Sequence, residues 1–335
     1  MSSAAIEGLP VQRRIAIVID PLESIRTYKD STFAMMQEAA SRGHELHVIL
    51  PDGLLWHEGT VKGRAQRLTL TGEAEDWYRT EPAVLSPLDA FDCILMRKDP
   101  PFDIEYVTAT WLLEHAMRQG ALVFNDPRAI RDHSEKLAIM QWSEFCVPTL
   151  VARAGGDLQS FVSEHRDVIL KPLDGMGGAG IFRVRHDDPN RNIIVETLSA
   201  QGASTVMAQR YIPAISEGDK RILLIDGEPV PYALARIPKA GETRGNLAAG
   251  GTGVARALSP RDRAIASSLG PELARRGLFL VGLDVIGEHL TEINVTSPTC
   301  FREITDQTGF QVAAMFIDAL ERKLAARRNI ASSSS

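Results

Sequence analysis

The chain has 335 residues, 44% hydrophobic and 24% charged, with 43 acidic against 37 basic side chains and a net charge of −6. This length suits two or three domains with full cores, and the acidic balance argues against general binding to nucleic acid or an anionic membrane. Three scattered cysteines (Cys93, Cys146, Cys300) in no metal spacing, a start without a signal-peptide core, and no apolar run near the roughly 20 residues of a membrane span together point to a reducing cytoplasm.

Residues 1–12 lack periodicity and read as a flexible N-terminus. Arg14 to Ile19 is a strand of buried type. Asp30, Ser31 or Thr32 can cap the next helix, which gathers Phe33, Met36 and Ala40 on one face and ends at Gly43; Leu46 to Leu50 is the following strand. This β-α-β unit implies a parallel sheet. Residues 55–90 give no clear pattern. Cys93 to Met96 is a strand leading into Arg97-Lys-Asp-Pro-Pro-Phe102, then a helix from about Ile104 to Gln119 and a strand from Ala121 to Phe124. Residues 13–130 therefore read as one small α/β domain. A helix carrying Lys136 is expected from Arg131 to about Phe145, where Val147-Pro148 stops it.

Next comes Val168 to Arg185, in which Gly175 to Gly180 fits G-x-G-x-x-G. The dinucleotide fingerprint needs a helix opening on its last glycine, and Ile181 to Arg185 alternates like a strand instead. No Gly-Lys pair exists for a Walker loop. The segment reads as a hairpin with a glycine tip, able to lay backbone N–H groups over phosphates or to serve as a plain tight turn. A helix near Asn192 to Ala200 and a strand from Ser204 to Gln209 follow. Arg221 to Ile225 and Val230 to Arg236 flank Asp226-Gly227, a strong hairpin signal. Pro260 to Arg276 reads as helix, Phe279 to Val285 and Thr291 to Val295 as a strand pair, and Phe310 to Ala326 as the closing helix before a flexible tail over 327–335.

The last strand pair draws attention to Asp284, Glu292 and Asn294. Period two sets Glu292 and Asn294 on one face, and a loop over Gly287 to His289 places Asp284 opposite Glu292. Facing carboxylates need a cation between them, and these oxygens suit magnesium; a solvated polar face is the plainer reading. Lys171 interrupts a buried strand and needs an anionic partner, whereas Lys136 on its own would be ordinary. Residues 238–253, rich in glycine and carrying Arg244 and Asn246, read as a lid over an anionic substrate or as a linker. No nucleophile–base pair is evident.

Met96-Arg-Lys-Asp-Pro-Pro-Phe-Asp103, Ile169-Leu-Lys-Pro-Leu-Asp-Gly-Met-Gly-Gly178, Gly218-Asp-Lys-Arg221, Glu242-Thr-Arg-Gly-Asn-Leu-Ala-Ala-Gly-Gly251 and Thr291-Glu-Ile-Asn-Val-Thr-Ser-Pro298 together resemble the ATP-grasp fold, and more narrowly bacterial glutathione synthetases, from about Arg14 to Leu324. The resemblance implies an α/β chain with α+β character in its second half. A Rossmann-like domain would precede ATP-grasp subdomains at 131–207 and 208–326. It implies a ligase joining γ-glutamylcysteine to glycine with ATP and Mg2+ (or Mn2+), acting as a homo-oligomer, a dimer or tetramer. Lys136 and Lys171 would hold the phosphates, with Asp174, Gly175, Met176, Gly177, Gly178 and Gly180 over them. Gln209, Arg210, Tyr211 and Ile212 would line the adenine, and Asp219 would lie near the ribose or phosphates. Asp284, Glu292 and Asn294 would hold the metal. Arg221, Arg236 and Arg244 would clamp the transferred phosphoryl group and substrate carboxylates. Arg97, Lys98, Asp99, Asn246, Ser297, Thr299 and Arg302 would shape the peptide pocket. Another ATP-grasp peptide ligase, or a non-catalytic ATP-binding protein on the same scaffold, is the alternative.

Overall fold

In the computed structural model of the protein, which describes residues 11–175, 178–239, 245 and 250–333, the chain builds three sheets. The first contains β1 (Arg14–Val18), followed by α1 (Ser31–Ser41), β2 (Glu45–His57), β3 (Thr60–Leu70), β4 (Tyr78–Thr80), β5 (Val84–Pro87), β6 (Cys93–Met96), α2 (Ile104–Arg118), β7 (Val123–Phe124) and the short α3 (Pro127–Arg131). Its order is β4-β3-β2-β1-β6-β7, with β5 also on β3. The β2-β1-β6-β7 part is parallel, as the β-α-β pattern predicts, while β3 to β5 extend it antiparallel.

That extension lies mostly in the stretch without a readable pattern. Pro51-Asp-Gly53 looks like a turn, but β2 runs through it, with its register on β3 shifting between Ile49 and Leu54. An irregularity inside a long strand thus has the composition of a loop. Of the three candidate caps for α1, Asp30 accepts from Phe33 N at 2.7 Å. Ser31 and Thr32 are buried and serve the site described below.

The expected helix from Arg131 to Phe145 does not form. After α3 the chain turns irregular, and a 3-10 run spans Leu137–Phe145 with Lys136 just ahead of it and non-helical angles at Trp142. The carbonyl of Glu135 is turned outward to accept from Ile293 N at 2.9 Å. Two elements missing from the sequence reading come next: β8 (Thr149–Ala152) and α4 (Gly155–His165). The helix starts on two glycines without a side-chain cap, which hides it from pattern reading.

With β9 (Asp167–Pro172), β10 (Phe182–Arg185), α5 (Arg191–Leu198) and β11 (Val206–Arg210), a four-stranded sheet forms in the order β10-β9-β11-β8. Leu158 and Val162 of α4 and Val195 of α5 bury one face against Val168, Leu170, Val184 and Val206. The final sheet combines β12 (Asp219–Ile225), β13 (Glu228–Ile237), β14 (Thr252–Ala257), α6 (Pro260–Arg275), β15 (Leu280–Ile286) and β16 (His289–Asn294), in the order β14-β13-β12-β15-β16, before α7 (Phe301–Thr308) and α8 (Val312–Ser333). Asp226-Gly227 forms the hairpin turn with φ of 50° and 84°, the pair of positive angles such a turn requires. Gly227 is needed twice, since a Cβ there would lie 2.9 Å from Gly270 O of α6. One face of this sheet buries Ile222, Leu283 and Ile293 with Ile265 and Leu269 of α6. The opposite face carries charge.

Candidate active site

Strand alternation puts Asp219 and Arg221 of β12 on one face, and pairing sets Arg236 beside Asp219, Asp284 beside Arg221, and Glu292 beside Asp284. The Asp284–Glu292 opposition matches expectation, though by another route. The turn holds only Gly287 and Glu288, with Ile286 opposite His289, and a register irregularity after Asp284 restores the match. Arg221 donates from Nε and Nη2 to the two oxygens of Asp284, at 2.5 and 3.0 Å. Arg236 Nη2 lies 2.9 Å from Asp284 Oδ2 and donates to Asp219 Oδ2 at 2.5 Å. Burial pushes the Asp284 carboxyl up, but the two guanidiniums outweigh it and hold Asp284 well below the usual carboxylate range. Burial raises Asp219, with Arg236 opposing, and Asp219 Oδ1 is buried without a partner.

Opposite this charged face stands the four-stranded sheet. Lys171 on β9 is buried, and its Nζ donates to Thr291 O of β16 at 3.2 Å. Burial lowers its pKa, and the nearby Glu292 charge opposes that shift. The anionic partner expected for it is not found among the described residues, where Lys171 has no ion pair. Lys136, also buried, donates to Gly175 O at 2.6 Å and pairs with Glu292 Oε1 at 3.2 Å. Both lysines, the glycine turn and Glu292 therefore meet between the two sheets.

The glycine segment is a hairpin tip, with β9 and β10 antiparallel on either side. Gly178 and Gly180 have φ of 83° and 70°, and a Cβ on Gly175 would lie 3.0 Å from Ala179 O. Asp174 is exposed; Met176 and Gly177 lie outside the described residues, as do Arg244 and Asn246 of the expected lid. Gly245 is described, and a Cβ there would come within 3.0 Å of the Asp219 Cβ. Gln209 is buried and donates to Thr149 Oγ1 on β8 at 3.1 Å. Its side chain braces the sheet, and the backbone N–H groups of Arg210 and Tyr211 donate to Pro148 O and Asp167 O, at 3.0 and 2.9 Å. Arg210 is exposed, and Tyr211 stacks under Arg183, 3.6 Å from guanidinium carbon to ring centre.

Comparison with known proteins gives this geometry a family. The model of the prokaryotic glutathione synthetase N-terminal domain matches residues 14–131, and that of the prokaryotic glutathione synthetase ATP-grasp domain matches 135–309. The chain belongs to the prokaryotic glutathione synthetase family. It is 63% identical to a glutathione synthetase of Ralstonia nicotianae, over 92% of this chain and 95% of that one. With one from Nitrosomonas europaea it shares 59%, over 94% and 99%. The solved D-cycloserine synthetase DcsG is similar in fold, with a TM-score of 0.63 at 16% identity over 93% and 99% of the two chains. The ATP-grasp fold and an ATP-dependent ligase, as the sequence motifs suggest, are thus borne out.

The remaining candidates of this glutathione synthetase family member gather where the first sheet meets the last. Arg97, buried at the end of β6, donates from Nε to Thr32 Oγ1 at 3.0 Å and from Nη2 to Pro298 O at 3.1 Å. Asp99 accepts from Ser297 Oγ, and its own N–H donates to Asp20 Oδ2 at 2.7 Å. Lys98 lies over the Tyr106 ring at 5.2 Å. Thr299 is exposed, and Phe301 N donates to Ser31 Oγ at 3.1 Å. Arg302 turns to α1, donating to Gln37 Oε1 at 2.7 Å. The structure thus forms two groups, a charged cleft around Lys136, Lys171 and Glu292 and a loop cluster between the first and last sheets, joined by residues 294–298. Among the described residues no three His, Cys, Asp or Glu side chains cluster as a metal site; the expected set reaches three only through the amide of Asn294, whose Nδ2 donates to Gly282 O at 3.1 Å. Its hard oxygen donors do fit magnesium. Asp20 and Glu135 were not expected near the site, and Thr32 was expected only as a candidate helix cap. Glu135 carried a signal, an acid next to a lysine outside any strand pattern.

Proposed function

We propose that this chain joins γ-glutamylcysteine to glycine, consuming ATP and giving glutathione, ADP and phosphate. What supports the reading most is the convergence of Lys136, Lys171 and Glu292 between the two sheets, in a chain matching glutathione synthetases over nearly its whole length. A carboxylate does not react with an amine until activated. An oxygen of the substrate carboxylate attacks the γ-phosphorus, ADP leaves, and an acyl phosphate results. The glycine amine then attacks the acyl carbon, and phosphate departs carrying that oxygen.

The side chains would act mainly by position and charge. Lys171, buried and without an ion pair among the described residues, would take a phosphate as its partner. Lys136 would exchange Glu292 for phosphate oxygens. Asp284, Glu292 and Asn294 would hold Mg2+ (or Mn2+), which when bound screens phosphate charge. Arg221 and Arg236 would orient these ligands through Asp284 and stabilise charge at the transferred group. We assign the three-part division, with boundaries near 130 and 207, a cytoplasmic setting and a homo-oligomeric state to the same reading.

The test is substrate labelled with heavy oxygen in the carboxylate that accepts glycine. One label per peptide should appear in phosphate, and ADP release should require γ-glutamylcysteine. Unlabelled phosphate released alongside accumulating peptide rules out the acyl-phosphate route.

A further inference from the structure

Residues 133–136 lie along the outer edge of the five-stranded sheet. The ring of His133 is 3.3 Å from Ile293 O, and Glu135 O accepts from Ile293 N at 2.9 Å. The Glu135 side chain then reaches past the end of β16. Its Oε1 alone accepts from Val295 N at 2.8 Å, Thr296 N at 3.1 Å and Thr296 Oγ1 at 3.0 Å. One carboxylate oxygen of the half-buried Glu135 thus holds the two residues at which the strand bearing Glu292 and Asn294 becomes the segment bearing Ser297 and Pro298. That segment is tied in turn to Asp99 and Arg97 of the first domain. The residue following Glu135 is Lys136, whose ammonium sits on Gly175 O and Glu292.

Two kinds of contact therefore diverge from neighbouring residues. Lys136 reaches the cleft assigned to ATP phosphates, and Glu135 reaches the loop assigned to the peptide substrate. Backbone N–H donors at the end of a strand have no ladder partner, and a charged acceptor is a strong way to satisfy them. Burial and the Glu292 charge raise the Glu135 pKa, and the three donors counter that rise only in part.

We infer that Glu135 is a positioning residue that couples the nucleotide cleft to the substrate loop, so that ATP and the acid substrate bind cooperatively. The inference rests on the ligase reading above. Seating phosphate on Lys136 sets the 133–136 segment, which through Glu135 sets Val295 to Pro298, and coupling of this kind is reciprocal.

The measurement is the affinity of a non-hydrolysable ATP analogue by calorimetry, with and without saturating γ-glutamylcysteine, each in Mg2+ buffer. Wild type is expected to bind the analogue roughly tenfold tighter when the peptide is present, within the usual range of coupling. In Glu135→Ala that ratio should fall below about twofold. Glu135→Gln, which keeps an oxygen acceptor for the same three donors, should restore most of it. Thr296→Val, which removes one donor and is the milder change should Glu135→Ala fail to fold, should give an intermediate ratio. A general loss of stability would weaken both affinities without erasing their ratio. Coupling present in wild type and unchanged in Glu135→Ala, or in Thr296→Val where only that variant folds, overturns this inference and leaves the ligase reading intact. A wild-type protein that binds the analogue but never the peptide overturns both.

Discussion

Lys171→Met removes a charge while keeping most of the side chain's volume, and its effects on stability and on binding should have opposite signs. Lys171 is 6% exposed and, among the described residues, its ammonium makes one hydrogen bond, to Thr291 O, and no ion pair. Burial already lowers its pKa, so the charged form is held at a cost. Losing one hydrogen bond to a charged donor costs about 1.5–3 kcal/mol, but relief of the desolvation of an unpaired ammonium is of similar size. The apo melting temperature should therefore stay level or rise. On the proposed reading the same ammonium would face phosphate once ATP binds, and losing that charge-assisted contact should weaken affinity by about 1.5–3 kcal/mol, roughly 10- to 150-fold. Turnover should fall further, because the contact strengthens as charge develops in the transition state. Differential scanning calorimetry of the apo protein and titration calorimetry with an ATP analogue read the two effects separately. An ATP affinity within about threefold of wild type, less than 1 kcal/mol, would refute the assignment, as would a marked loss of apo stability with binding intact.

Glu292→Gln should shift the magnesium requirement upward, with apo stability within about 1 kcal/mol of wild type, since loss of the Lys136 pair is balanced by relief from Asp284 and Glu135; an unmoved magnesium titration removes Glu292 from the metal set. His133 is buried and its pKa lowered to about 4 by desolvation, so the unfolded chain binds more protons between roughly pH 4 and 6.5 and stability falls as pH drops through that window. The contribution is about 2 kcal/mol lost between pH 7.5 and 5, and urea unfolding of His133→Asn should show a correspondingly flatter acid limb; an identical pH slope would contradict this. Gly227→Ala, forced into φ of 84° and against Gly270 O, should destabilise by at least about 1 kcal/mol with ATP affinity retained, read by thermal midpoint and titration.

What could be read from the sequence followed local rules. The Asp226-Gly227 hairpin, the strand that replaces a helix after Gly180, and the face shared by Asp284 and Glu292 each rest on period and turn chemistry within a few residues. The misses came where tertiary contacts override those rules. The segment around Lys136 has helical composition, yet Ile293, more than 150 positions away, captures the Glu135 carbonyl. Strand β2 passes through Pro51-Asp-Gly53 because β3 resumes pairing beyond it. Arg221 and Arg236 could be singled out as arginines, but that both pair with Asp284 depends on three strands lying side by side. Asp20 reaches the site only through a hydrogen bond from Asp99, across two parallel strands.

The charges of the cleft explain why it can hold its geometry before any ligand arrives. Among the described residues, four cations (Lys136, Lys171, Arg221, Arg236) stand close to the carboxylates of Asp219, Asp284 and Glu292. The arginines are already committed: Asp219, Arg236, Asp284 and Arg221 form a continuous chain of ion pairs across the sheet. In so dry a setting, breaking one pair strands the next charge, so the chain is rigid. The lysines are the adaptable members. Lys171 has no ion pair among the described residues, and Lys136 holds Glu292 at 3.2 Å, longer than the arginine contacts to Asp219 and Asp284. On the proposed reading, a polyphosphate entering between the sheets would meet one cation without an ion pair among the described residues and one held at longer range, backed by an array already paired. Such preorganisation is the electrostatic condition for phosphoryl transfer, and it assigns the movement on binding to Lys136 and its neighbour Glu135 rather than to the arginines.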